Sequence, residues 1–285
     1  MVGLRKLIMT TGTVFTSDTL ERFSFGKNWK NFLTTLNEDR IVEAENSLKS
    51  SLGLESLKGL RFFDVGSGSG LFSLAAYRLG ADVTSFDYDV DSVACTTFLR
   101  DKFAANSDRW RVSQGSVLDQ EFVNNFGKFD IVYSWGVLHH TGNMYQAFEN
   151  VSESVNVGGH LFISIYNDQG GASRRWKWLK KTYVNSGCFV RTLLIVYTIS
   201  RLWTITMVKD FLKSGNPFKT WMNYKVHRGM SAYHDVVDWA GGYPFEVATP
   251  EIIFNFFKAK NYSLEHMKTM VNGCGCNEFV FKKLK

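Results

Sequence analysis

The amino-acid sequence predicts an α/β fold: a doubly wound, mainly parallel sheet with an antiparallel C-terminal strand, an N-terminal helical arm and a helical insertion after the fifth strand. Three observations carry that reading. Short apolar runs alternate with stretches of helical period from Leu60 to Tyr166. A glycine-rich bend, Gly66-Ser67-Gly68-Ser69-Gly70, joins the first run to the first helix. Strand-like runs return near the C-terminus after about eighty residues that lack the alternation.

In chain order, Leu60–Val65 reads as the first strand and Leu71–Leu79 as a helix stopped by Gly80. Asp82–Phe86 and Val90–Phe103 repeat the pair, and Trp110–Ser113 and Phe129–Tyr133 are further strands. Met144–Val155 is helical and stopped by Gly158-Gly159, and His160–Tyr166 is the fifth strand. Arg174–Tyr183 is a basic helix, followed by the apolar stretch Cys188–Leu212 and a loop at Gly215-Asn216-Pro217. Glu251–Lys260 is a helix, and Tyr262–Lys268 pairs with Glu278–Lys282 across the Gly273–Gly275 turn. The expected organisation is an arm at 1–57, a core at 58–168, an insertion at 169–248 and a completing helix and strand pair at 249–285.

The 285 residues carry a net charge of +6 and four cysteines. The charge allows an anionic partner but is ordinary for a soluble enzyme. Cys95 and Cys188 are isolated, and Cys274 and Cys276 stand too close for an ordinary bridge. None has the spacing of a metal ligand, so no metal and a reducing cytoplasm are expected. No signal peptide is read at the N-terminus. In Cys188–Leu212 the longest charge-free piece is Thr192–Ser200, short of the ~20 residues a span needs, so no transmembrane span is expected. Its narrow polar stripe of Arg191, Thr198 and Lys209 leaves a broad apolar face for packing, a homodimer contact or peripheral membrane contact.

Chemistry concentrates at two places. In Asp64-Val65-Gly66-Ser67-Gly68-Ser69-Gly70 the glycines let the chain bend against a ligand at the carboxyl end of the first strand. A dinucleotide fingerprint needs its third glycine three residues after the second, where Leu71 stands. A carboxylate at Asp64 would repel a pyrophosphate and favour a cation. Asp87 ends the second strand, about twenty residues past the first, where an acid can accept from both ribose hydroxyls.

These residues, with Gly115-Ser116-Val117 and Ser134-Trp135-Gly136-Val137-Leu138-His139-His140, resemble the Rossmann-like class I methyltransferases, above all the ubiquinone-biosynthesis-type O-methyltransferases, whose Val-Leu-His-His signature matches Val137–His140. The resemblance covers roughly Lys58–Asn167. It implies S-adenosyl-L-methionine as cofactor and S-adenosyl-L-homocysteine as product. Asp64, Gly66, Ser67, Gly68 and Gly70 would face the methionine part, Asp87 and Tyr88 the ribose, Ser116 and Val117 the adenine, and Ser134 the same crevice. Many relatives carry an acid where Ser116 stands.

For the acceptor, His139 or His140 is either a general base or a structural hydrogen-bonding group, and His234 beside Asp235 is another base candidate. Tyr166, Asn167 and Asp168 follow the fifth strand, with Asp168 equally readable as a helix cap. Tyr243 sits in a loop over the pocket, and Phe25, Asn28 and Trp29 of the arm could close it. Arg174 leads a basic patch that is either a solvated face or a site for an anionic acceptor. The leading expectation is methylation of a small or lipid-like acceptor, at oxygen. An RNA or protein methyltransferase docking through the basic helix and a non-catalytic partner protein are the alternatives. Nucleic acid is disfavoured, since the fourth strand leads to Ser134-Trp135-Gly136-Val137 and not to an Asn/Asp-Pro-Pro-aromatic turn.

Overall fold

The computed structural model describes residues 23, 26, 29, 33, 34, 36–228, 232–271 and 275–285, with backbone alone at 225–228. Helix α1 (Glu38–Leu52) belongs to the arm; β1 (Arg61–Val65), α2 (Leu71–Arg78), β2 (Asp82–Asp87), α3 (Val90–Ala104), β3 (Trp110–Gln114), α4 (Gln120–Asn124), β4 (Phe129–Trp135), α5 (Met144–Glu153) and β5 (Val155–Tyr166) form the alternating core. Among the described residues the insertion is four helices, α6 (Gly171–Val184), α7 (Cys188–Ser214), α8 (Lys219–Arg228) and α9 (Ala232–Gly241). Helix α10 (Pro250–Ala259), β6 (Tyr262–Lys268) and β7 (Cys276–Lys283) complete the sheet.

The sheet has seven strands in the order β3-β2-β1-β4-β5-β7-β6. The first five are parallel, and β7 runs antiparallel to both β5 and β6. The predicted architecture is therefore the observed one. Because the sheet is covered on both faces, its central strands are apolar at almost every position: β1 buries Phe62, Phe63, Asp64 and Val65. One face packs Phe63, Val132, Leu161 and Phe281 under α5 and α10. The other packs Phe62, Ile131 and Val280 under α1, α2 and α3. Each buried Phe contributes roughly 1.5–3 kcal/mol to this core. The insertion has a small core of its own, centred on Leu179, Ile195, Trp203 and Val236.

Helix ends follow local chemistry. Asn37, Asp89, Asp119, Asn143 and Thr249 each accept a backbone N–H of the first turn of their helices. One boundary departs from expectation. Gly158-Gly159 does not stop α5 but lies within β5, at a shift in register with β4; a Cβ on Gly159 would sit 2.8 Å from the Asp130 carbonyl oxygen. Helix α9 has no expected counterpart, because Ala232–Gly241 lies in a stretch dense in His, Trp, Tyr and Gly.

Helix α7 runs unbroken for 27 residues and is, by length and composition, long and apolar enough to cross a membrane. Arg191, Arg201 and Lys209 still interrupt it, and its longest charge-free piece remains Thr192–Ser200. Only Ile195, Thr198 and Trp203 are buried along it, on the side that meets α6, α8 and α9.

Gly70 was expected to touch the cofactor. It starts α2 in the left-handed region at φ 80°, and a Cβ there would stand 2.8 Å from the Thr96 Cα of α3. Its role is to let the two helices close. Gly70→Ala is expected to destabilise the fold by about 2–4 kcal/mol, from the left-handed strain and the clash together, read as a lower urea midpoint with an unchanged slope.

Candidate active site

A cavity of about 1330 Å³ opens at the carboxyl ends of β1, β2, β3 and β4. That is the point in the strand order where successive connections leave β1 in opposite directions, and it is where open α/β sheets bind ligands. The volume exceeds the about 300–1,000 Å³ of an ordinary small-molecule pocket, enough for two ligands side by side.

The first half is the bend after β1. Gly66 and Ser67 donate their N–H groups to the Phe86 carbonyl (2.9 and 3.1 Å), Gly70 donates to the Ser67 carbonyl (2.8 Å), and Gly68 donates to Asp87 Oδ2 (2.9 Å). The bend is thus tied to the end of β2, and those donors are not presented to a phosphate. A Cβ on Gly66 would collide with Val137, and one on Gly68 would press at 3.2 Å on the Trp29 ring, which covers the bend from the arm. Only glycine leaves the channel between these walls.

Two carboxylates flank the bend. Asp64, at 2% exposure, accepts from Ser73 Oγ at 2.5 Å. Burial first, with some repulsion from Asp87, pushes its carboxyl up to about 7. Asp87 also accepts the Asp89 N–H at 2.9 Å. Burial raises it to about 6, against the lowering by its backbone donors. The lining holds seven acidic side chains, Asp64, Asp87, Asp89, Asp91, Asp235, Asp238 and Glu278, and one lysine, Lys268, among the described residues. Such a site favours a cation. Tyr133, also on the wall, has a buried hydroxyl with no partner among the described residues; burial first, then the charge of Asp64, lifts its pKa well above the ordinary value.

Tyr88, Ser116 and Val117 line the cavity beyond Asp87, as do Trp29, Tyr166 and Tyr243 on the opposite side. Several expected residues lie elsewhere. Ser134 is fully buried, donating to the Val65 carbonyl at 2.8 Å, and its neighbour Trp135 reaches the wall instead. Asn167 braces the strand ends through Met270 and Asn277 (3.0 and 3.1 Å), and Asp168 accepts the Gly170 N–H at 2.8 Å ahead of α6, so neither lines the cavity. Arg174 is exposed on α6, outside the lining. Phe25 and Asn28 lie outside the described residues.

The histidines divide sharply. The turn Leu138–His140 advances about 120° per residue, which points the two rings apart in role. His139 is fully buried behind the wall, its ring 4.1 Å from that of Tyr166. Burial holds its pKa well below the ordinary value. His140 lines the cavity, with Nδ1 2.6 Å from the Pro244 carbonyl. A carbonyl only accepts, so Nδ1 carries the proton and Nε2 the lone pair. Burial first, then the nearby Lys180 cation, lowers His140 to about 3. Lys180, fully buried, donates to the Trp239 carbonyl and sits 4.2 Å from that indole ring. His234 is exposed on α9 and outside the lining; Asp235 beside it faces the cavity and accepts from the Tyr224 hydroxyl at 2.6 Å. Asp235, Asp238 and Trp239 therefore join Leu202, Tyr243 and Pro244 as the insertion's contribution, and only the phase of α9 could have revealed those three.

Comparison with known proteins agrees with this geometry. A family model described as a methyltransferase domain matches residues 30–202. The ubiquinone biosynthesis O-methyltransferase of Azorhizobium caulinodans is 29% identical over 114 residues, 40% of this chain and 43% of that protein. Its counterpart in Rhizobium leguminosarum is 27% identical over 128 residues, 45% and 49% of the two chains. The chain thus spans less than half the length of these curated relatives. Magnesium protoporphyrin IX methyltransferase from Synechocystis, solved with bound SAH, shares the fold at a TM-score of 0.52 and 13% identity, over 90% of this chain and 94% of that one. The family match extends over more than half of the 285 residues, and the chain belongs to the methyltransferase-domain family.

Proposed function

We propose that the protein transfers a methyl group from S-adenosylmethionine to a hydroxyl of a small, uncharged, aromatic or lipid-like acceptor. The observation that carries this reading is the pairing of buried Asp64 with half-buried Asp87 around a glycine bend in which the N–H groups of Gly66, Ser67, Gly68 and Gly70 are already taken. That arrangement fits a cationic nucleoside and opposes a phosphate. Asp87 would take the ribose hydroxyls, Asp64 the amino-acid end, and Ser116-Val117 the adenine. The bound cofactor supplies an electrophilic methyl on a positively charged sulfur.

The chain's own work is to align the acceptor, exclude water and take a proton. His140 is neutral at physiological pH and lines the cavity beside Pro244 of the insertion. As a weak base beside a buried lysine it suits an acidic hydroxyl, a phenol or an enol, and not an aliphatic alcohol. Asp235 and Asp238 repel an anionic acceptor, while Trp239, Tyr166 and Tyr243 offer ring faces. The names of the matched relatives support oxygen as the acceptor atom. The basic residues of α6 stand outside the cavity, which weighs against docking RNA or protein through them to reach the site.

Two outcomes test the reading. The carboxyls of Asp64 and Asp87, raised to about 7 and about 6, bind protons in the folded chain well above the ordinary carboxylate value of about 3.9. Protonation therefore stabilises the ligand-free fold at low pH. That contribution is lost as pH rises through 6 to 7, while affinity for the cationic nucleoside rises over the same interval. Thermal melts across pH, with and without S-adenosylmethionine, are expected to show the ligand's stabilising shift growing from pH 5 to pH 8; a shift independent of pH would remove these carboxyls from the site. His140→Ala is expected to slow turnover of a phenolic acceptor by roughly 10²–10⁴-fold with cofactor affinity unchanged, measured by mass gain of the acceptor. Unchanged turnover would remove His140 as the base.

A further inference from the structure

The insertion carries a feature that the cavity does not use. Phe189, Leu193, Val196, Ile205, Phe211 and Leu212 of α7 are each more than half exposed. At 100° per residue they fall within the arc of roughly 220° that buried Ile195, Thr198 and Trp203 leave free, over about 35 Å at 1.5 Å per residue. Arg201 is the one charge within that exposed face, and Arg191 and Lys209 rim it, at 100° per residue. An apolar strip of this length is far larger than scattered surface residues require.

Charge decides what covers it. Residues 169–248 hold twelve Lys or Arg against four Asp or Glu, a net +8, whereas the rest of the chain, with 21 against 23, stands at −2. Of the four acids, Asp235 and Asp238 face the cavity, Asp210 binds Thr220, and Glu246 accepts the N–H groups of Gly142 and Met144. Lys180 is buried and the side chains at 225 and 228 lie outside the described ones, which leaves nine exposed Lys or Arg among the described residues of the insertion, so its outside is basic. A second copy laid on this face would oppose its cations to their own kind, whereas an anionic lipid surface meets both the apolar strip and the charge. The inner side of α7 is held by its own core, and Leu202 lines the cavity, so the helix is built to lie along a surface and not to cross it.

We infer that the exposed face of α7 docks the protein, in plane, on an anionic lipid surface. The cavity wall and the membrane-facing strip are then two sides of one helix, a geometry suited to an acceptor drawn from the bilayer.

Flotation of the full chain with vesicles of phosphatidylcholine, alone or in equal parts with phosphatidylglycerol, tests this without cofactor or turnover. Binding to the mixed vesicles, weakened by added salt and by Arg201→Gln about fivefold, is expected. Leu193→Glu with Phe211→Glu should weaken it roughly tenfold or more while leaving S-adenosylmethionine binding and the urea midpoint in place. If the double variant fails to fold, the exposed Arg201→Gln and the salt series still decide. Indifference to phosphatidylglycerol, binding to neither vesicle, or a dimer in sedimentation velocity that Phe211→Glu dissociates would overturn the inference, the last giving the face to a second copy. Failure here would leave the methyl-transfer reading standing, because that reading is measured by cofactor binding and acceptor mass.

Discussion

The placement of two carboxyls beside one glycine bend is the constraint from which the site follows. Asp64 is a core residue by burial, yet it is polar, and the sheet accepts it because Ser73 donates to it and the cavity adjoins it. Asp87 is held by the N–H groups of Gly68 and Asp89, so the bend and the end of β2 are locked together. Desolvation raises both carboxyls, and an incoming cation is the natural partner that offsets that cost. Without a cationic ligand the arrangement is a local destabilisation stored at a functional position.

The acceptor side obeys a related logic. Lys180 is buried in aromatic surroundings and bonded to the Trp239 carbonyl, and its charge adds to burial in keeping His140 neutral. The Pro244 carbonyl then selects the tautomer. Three elements distant in sequence, the turn after β4, helix α6 and the loop after α9, thereby set the state of one imidazole. The insertion closes the cavity on its inner side and presents a basic, apolar exterior on the other.

Much of this was legible in the sequence because backbone demands are local. The glycine bend, Asp87 at a strand end and the alternation of strand and helix each have a short-range signature, whereas the strand order rests on long-range pairing that the structure supplies. What stayed hidden was phase. Strand β4 is buried on both faces, so no alternation shows that Trp135 and not Ser134 reaches the cavity. In the turn at Leu138–His140 and in helix α9 one position means a large rotation; His139 and His234, both plausible bases by composition, turn away while His140 and Asp235 turn in. Gly70 announced a special backbone, but only the packed structure shows that α3, and not a ligand, is what approaches it. Asn167 and Asp168 followed the right strand and were drawn into bracing the chain beyond it.

The central claim is that this bend recognises a cationic nucleoside through carboxyls and repels a phosphorylated one. Calorimetric titration of the protein at pH 8 with S-adenosylmethionine and, separately, with ATP tests it most directly, since both carry the same adenosine and differ in the charge that meets Asp64. Saturable binding of S-adenosylmethionine with no detectable heat from ATP is the predicted result. Binding of ATP as tight as that of S-adenosylmethionine, or no binding of S-adenosylmethionine at all, would contradict the account.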